Sequence, residues 1–216
     1  MSDICHKLHM LFNRLSIHRF PFDTNKIPSN GIYILFESGE IAHGANRVVR
    51  VGTHTGANQL RSRVKQHFVQ PNKDRSIFRK NIGRAMLNRD QDPFLVQWER
   101  DLTTKAARQN FASGIDAAKQ KQIEQQVSEY MQRHFFFGAF QVDDKDQRMA
   151  LESKIISTIS LCSACRSSDS WLGRCSPKEK IRESGLWLVN ELYKQPFSVN
   201  EHAMFQDLLI RNQQVL

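Results

Sequence analysis

Long hydrophobic runs are missing from this chain: nothing approaches the ~18–20 apolar residues of a membrane span. A signal-peptide layout is missing too, because Asp3, His6 and His9 interrupt the apolar residues of MSDICHKLHMLF. Cysteine is scarce, with four in 216 residues. Together these absences place the protein in a reducing cytoplasm, away from membranes, with its cysteines as thiols. There is no internal repeat and no low-complexity tract. The length suits one domain, or one and a half, with a real core.

Acid is scarce in one half only. Residues 1–90 hold 15 Lys and Arg against 6 Asp and Glu, and the remaining residues hold 31 − 15 = 16 basic against 22 − 6 = 16 acidic. The whole net charge of +9 therefore lies in the first 90 residues. A charge kept for solubility would be spread along the chain. A polarised one points to a polyanion partner such as a nucleic acid.

The hydrophobic pattern predicts an α+β fold. A helix is expected over residues 4–16 and a loop over RFPFDTNKIPSN. GIYILFE (31–37) and RVVRVG (47–52) read as an antiparallel hairpin. In NQLRSRVKQHF the period changes, and Leu60, Val64 and Phe68 form a helical stripe that ends before Pro71. A second helix is expected in DRSIFRKNIGRAML with Asp74 as its cap, then a helical insertion over about 91–133. HFFFGAFQV (134–142) reads as a buried strand, RMALESKIISTIS as a helix, and IRESGLWLVNELY as a last helix. The resulting organisation is an N-terminal helix and loop (1–29), a central unit (30–165) and a C-terminal helical extension (166–216).

The order of these pieces resembles the GIY-YIG nuclease family, in a bacterial branch. The residues that carry the likeness are GIYILFE, RVVRVG, LRSRVKQHF (60–68) and ALESKI (150–155). The resemblance implies a small three-stranded antiparallel sheet flanked by helices, which hydrolyses DNA phosphodiesters with one divalent ion per site, magnesium or manganese. Matched by motif, Tyr33 is the GIY tyrosine, Arg63 the helix arginine, His67 the residue one turn later and Glu152 the metal ligand. Arg50 stands where the family has the second tyrosine. The family's asparagine has no evident counterpart, since SSDSW offers Ser167, Ser168, Asp169 and Ser170.

The chemistry asks for such groups in its own right. Phosphodiester hydrolysis needs an aligned water, a proton acceptor and cations facing the charge that develops on phosphate. Arg63 and His67, four apart, share a helix face beside the apolar stripe. Alternation points Arg50 away from Val49 and Val51, into the cleft with Tyr33. A guanidinium stays protonated and serves there as an electrostatic group.

The expected DNA contacts are Arg61, Lys65, Lys73, Arg75, Arg79, Lys80 and Arg84, interleaved with apolar residues so that one face packs while others meet phosphate. A site with one carboxylate ligand cuts one strand at a time, so a homodimer would make double-strand cutting simple. A catalytically silent DNA-binding module on the same fold is the rival reading, and the filled tyrosine, arginine and glutamate positions favour the enzyme. Cys162-x2-Cys165 with Cys175 lacks an identifiable fourth ligand, so thiols rather than zinc are expected. Glu152-Ser153-Lys154, with Asp143, Asp144 and Asp146 upstream, also matches the E-x-K of another nuclease class, whose chemistry wants that pair on a strand. Trp171 and Trp187 read as core rather than as stacking platforms for bases.

Overall fold

The apolar run GIYILF becomes the centre of a sheet covered on both faces, which explains why it is continuous rather than alternating. A computed structural model describes residues 2–213. Its elements are α1 (Ser2–Phe12), β1 (Ile17–Arg19), β2 (Gly31–Ala42), β3 (Ala45–Gly52), α2 (Leu60–Phe68), α3 (Ile77–Arg89), α4 (Leu95–Trp98), α5 (Lys105–Phe111), α6 (Ala117–His134), β4 (Phe135–Gln141), α7 (Lys145–Ser160), α8 (Glu179–Ser184) and α9 (Val199–Gln213). The sheet is antiparallel in the order β1-β4-β2-β3. It has four strands rather than the expected three, because Ile17–Arg19 pairs with the outer edge of β4.

Each face of the sheet has its own core. Ile32, Ile34, Phe36, Val48 and Val51 pack with Leu8 and Phe12 of α1, Ile155, Ile156 and Ile159 of α7, and Phe205 and Leu209 of α9. Tyr33, Leu35 and Val49 pack with the Leu60–Val64–Phe68 stripe of α2, Phe78 and Ile82 of α3, and Val127 and Met131 of α6. The expected alternation around Arg50 fails at one point. Leu35 pairs with Arg50 but Phe36 pairs with Val48, so Val49 is an extra residue. This bulge turns Val49 to the same side as Tyr33, leaving Val48 and Val51 on the far face.

Two further boundaries differ from expectation. α3 is capped by Ser76, whose hydroxyl accepts from Arg79 N–H, and not by Asp74. The last predicted helix stops at Ser184, where Gly185 takes the left-handed conformation at φ 67°. The chain then runs alongside β3, with Trp187 N–H donating to Val49 O at 2.8 Å. The helix that follows, α9, lies beyond the predicted stretch. Among the described residues, no helix is long and apolar enough to cross a membrane.

Candidate active site at the open end of the hairpin

β2 and β3 meet in register at Tyr33 and Gly52. The tyrosine ring lies against that glycine so closely that a Cβ on Gly52 would come within 2.2 Å of the hydroxyl. Here the glycine is required by contact and not by backbone twist. Tyr33 is 1% exposed, so its hydroxyl is covered rather than open to solvent. It lies 2.8 Å from His67 Nε2 on α2, and His67 Nδ1 lies 2.7 Å from Ser76 Oγ. Burial, followed by Arg63, Arg50 and Arg79, pushes the His67 imidazole well below its usual range and keeps the ring neutral. A neutral ring has one donor and one acceptor nitrogen, so Tyr33, His67 and Ser76 form a chain along which protons can shift.

Above this chain sit the charged groups. Arg50 projects from β3 with its guanidinium over the Phe78 ring at 5.0 Å, and its Nη1 donates to Trp187 O. Its Nε is buried with no hydrogen-bond partner. An unpaired buried donor on a fixed cation is costly unless an anion completes it. Arg63, on the exposed side of α2, reaches Gln66 Oε1 and Arg75 O at 3.2 Å each. It lines an open cleft of about 300 Å³ together with Thr53, His54, Thr55, Gln59, Ser62 and Gln66.

Glu152 reaches this place from the other face of the sheet. α7 packs against the core opposite Tyr33, but β3 is an edge strand, and the carboxylate extends to its end, where Thr53 N–H donates to it. Burial raises its carboxyl to about 7, against the opposing pull of Arg50, the Thr53 amide and Arg63. A half-buried carboxylate held at this cost suits a cation that would offset it. Glu152 with Arg50 and Arg63 at its edge is therefore a donor set that fits a hard divalent ion and a phosphate together. In contrast, Lys154 pairs with Glu201 at 2.8 Å and Asp144 caps α7, so the E-x-K match lies on a helix and does not converge.

The structure divides the expected DNA contacts. Lys65 and Arg75 are exposed, and Arg61 is half-buried with Nε on Ile27 O at 2.7 Å. Lys73, Arg79, Lys80 and Arg84 point inward. Arg79 pairs with Glu124 at 2.7 Å and donates to His67 O at 2.8 Å. Arg84 is bidentate on Glu99, with both bonds at 2.6 Å, and Lys80 Nζ donates to Glu99 O at 2.8 Å. Lys73 Nζ sits between Asp74 and Arg100 O. These four charges belong to the packing of α3 and not to its surface. The helix read as half-solvated is buried nearly all round, because the 91–133 insertion brings Glu99 and Glu124 to cover it.

Ser76 is the supporting residue that sequence reasoning missed, and Arg79, expected as a DNA contact, supports the same place from within the packing. The only available signal was SIFR, a serine three residues before the arginine whose amide it caps. The SSDSW candidates for the family asparagine lie elsewhere: Ser168 bonds Glu40, and Asp169 pairs with Arg174 at 2.9 Å. Trp171 and Trp187 are buried and donate to Glu37 at 2.7 and 3.0 Å, as core residues.

Comparison with curated proteins and with solved structures gave no match. A family model described as the GIY-YIG domain matches residues 9–214, so the hairpin, the α2 pair and the α7 glutamate fall inside it, and the chain belongs to the GIY-YIG family of nuclease-type domains.

Proposed function

We propose that the protein hydrolyses DNA phosphodiester bonds at the open end of the β2–β3 hairpin, with a divalent ion held by Glu152. The observation that supports this reading is that Arg50 and Arg63 both act electrostatically on the Glu152 carboxyl and on His67, which joins Tyr33 to Ser76. When bound, magnesium or manganese would stabilise charge on the leaving oxygen.

The protein's own groups do the rest. Arg50, with a free buried Nε, binds and orients the scissile phosphate. Arg63 faces the same phosphate from the cleft wall. In the Nδ1–H tautomer of His67, Ser76 Oγ accepts from the ring and Nε2 accepts from Tyr33 O–H. A lone pair on the tyrosine oxygen is then left for a proton of the attacking water. Lys65 and Arg75, exposed beside Arg63, hold the flanking backbone.

The test is incubation of the purified chain with supercoiled plasmid and with branched duplexes, with magnesium or manganese present or omitted. Nicked or linear product that needs the added ion supports the reading. Stable DNA binding without cleavage under any of these conditions would make the protein a silent binding module.

A further inference from the structure

The turn end of the same hairpin carries a second, unrelated constellation. Cys5, His9, His43 and Cys165 place their ligand atoms within 4.8 Å of one another. They come from three distant parts of the chain. Cys5 and His9 lie one turn apart on the same face of α1. His43 sits at the β2–β3 turn with φ 54°, next to Gly44. Cys165 follows α7. We propose that these four side chains bind a zinc ion that fastens the N-terminal helix and the segment after α7 to the hairpin turn.

Zinc with two sulfur and two nitrogen ligands at ~2.3 and ~2.0–2.1 Å in a tetrahedron spaces its ligand atoms by about 3.3–3.8 Å. The Cys165 Sγ to His9 Nε2 distance is 3.5 Å. His9 is already arranged as a ligand. Its Nδ1 donates to Cys5 O at 2.9 Å, so the lone pair is on Nε2, which lies 3.5 Å from Cys165 Sγ. A backbone carbonyl on the far ring nitrogen is the usual outer support of a metal-bound histidine. Val48 N–H also reaches Nε2, at 3.2 Å, and is the donor that the ion would displace. Stacking with His6 at 5.6 Å, 16° from parallel, steadies the His43 ring.

The donor chemistry and the enclosure select the ion and its role. Thiolates and imidazoles prefer zinc to magnesium, whereas the carboxylate at the other end of the hairpin prefers a hard ion. Cys5, His9 and Cys165 are buried, and four protein ligands leave no open position for substrate, so the role is structural. Cys162, with Sγ 3.5 Å from His43 Nε2, borders the site. Cys175 is elsewhere, next to Asn88 of α3.

The sequence reading looked for this site in Cys162-x2-Cys165 with Cys175 and found no fourth ligand. Two of the actual partners lie in a helix at the opposite end of the chain, and the third lies in a hairpin turn.

The test measures metal directly, independently of cleavage. The full chain, purified with reduced thiols and incubated with equimolar zinc, should carry about one tightly held zinc by elemental analysis. Cobalt in its place should give the visible absorption of a tetrahedral thiolate complex. Cys5→Ser with Cys165→Ser should lose the ion. His43→Gln, at a partly exposed turn where folding survives, should weaken binding by about tenfold or more. Cys175→Ser and Glu152→Gln should keep the full zinc content. A reduced wild-type chain that binds neither zinc nor cobalt, a Cys5–Cys165 disulfide in the purified protein, or undiminished zinc in the His43→Gln and double-serine variants would overturn the proposal.

Discussion

The two ends of the β2–β3 hairpin are built from opposite chemistry. At the open end, Gly52 leaves space for Tyr33, and the groups that converge are guanidinium, carboxylate, hydroxyl and a neutral imidazole, beside a solvent-filled cleft. At the turn, thiols and imidazoles are enclosed by α1 and the segment after α7. The open end keeps an unpaired donor on Arg50 and a carboxyl raised by burial, both costs that a bound anion and cation would relieve. The turn end has every position filled by protein. One ribbon would thus support the proposed reacting site at one end and the proposed fastening at the other.

The first way to sharpen this contrast is to remove the support under the open end. Arg79→Met would strand the buried Glu124 and free the His67 carbonyl. Breaking one half of a buried pair costs about 3–5 kcal/mol. Thermal melts should show that loss, while zinc content at the turn stays unchanged. Unaltered stability would mean that Arg79 is not part of the packing.

Next in size is the effect of Arg50→Ala on cleavage, a fall of about two orders of magnitude in turnover at saturating DNA, as for other charges that meet a transition state. Arg50→Lys should keep part of the rate, since a point charge survives without the fork. Equal rates for wild type and Arg50→Ala would make this arginine a strand residue held only by Phe78 and Trp187.

A smaller effect concerns pH. The Glu152 carboxyl is raised from 4.5 to about 7 in the folded chain, so its ionised form is disfavoured there. Below the unfolded value both states hold the proton and there is no cost. The cost grows between about pH 4.5 and 7, and is complete above that. Without divalent ions, Glu152→Gln should therefore raise the melting temperature at pH 8, by about 2–4 °C for each kcal/mol recovered, and leave it unchanged at pH 4. A loss of stability at pH 8 would contradict the burial of this carboxylate.

The smallest effect is on DNA affinity. Lys65→Ala and Arg75→Ala should each flatten the log–log salt dependence of binding by about 0.9. An unchanged slope would remove both residues from the contact surface.

The candidate residues of the open end could be picked out in the sequence because they sit in short motifs in a recognisable order: the GIY strand, the glycine-ended strand, the Arg-x3-His pair and the helical glutamate. The paired strands followed from two apolar, β-branched runs around a glycine-bearing connection, and the α2 stripe from helical period. What sequence reasoning misjudged depended on distant partners. The basic residues of α3 look like a DNA face until Glu99 and Glu124 arrive from the insertion to neutralise them. The bulge at Val49 changes which side a residue faces without leaving a local mark. The turn cluster needs residues 5 and 165 side by side, a proximity that only the packing of α1 and α7 in one core supplies.

The most direct test of the account is single-turnover cleavage of a DNA substrate in magnesium by wild type and by Glu152→Gln, with DNA binding measured on the same samples. The account predicts a rate at least about a hundredfold lower for the variant, with binding largely retained, because the carboxylate proposed to hold the ion is lost while the basic groups that meet phosphate are kept. Cleavage at the wild-type rate by Glu152→Gln would contradict it and move the reacting site away from the open end of the hairpin.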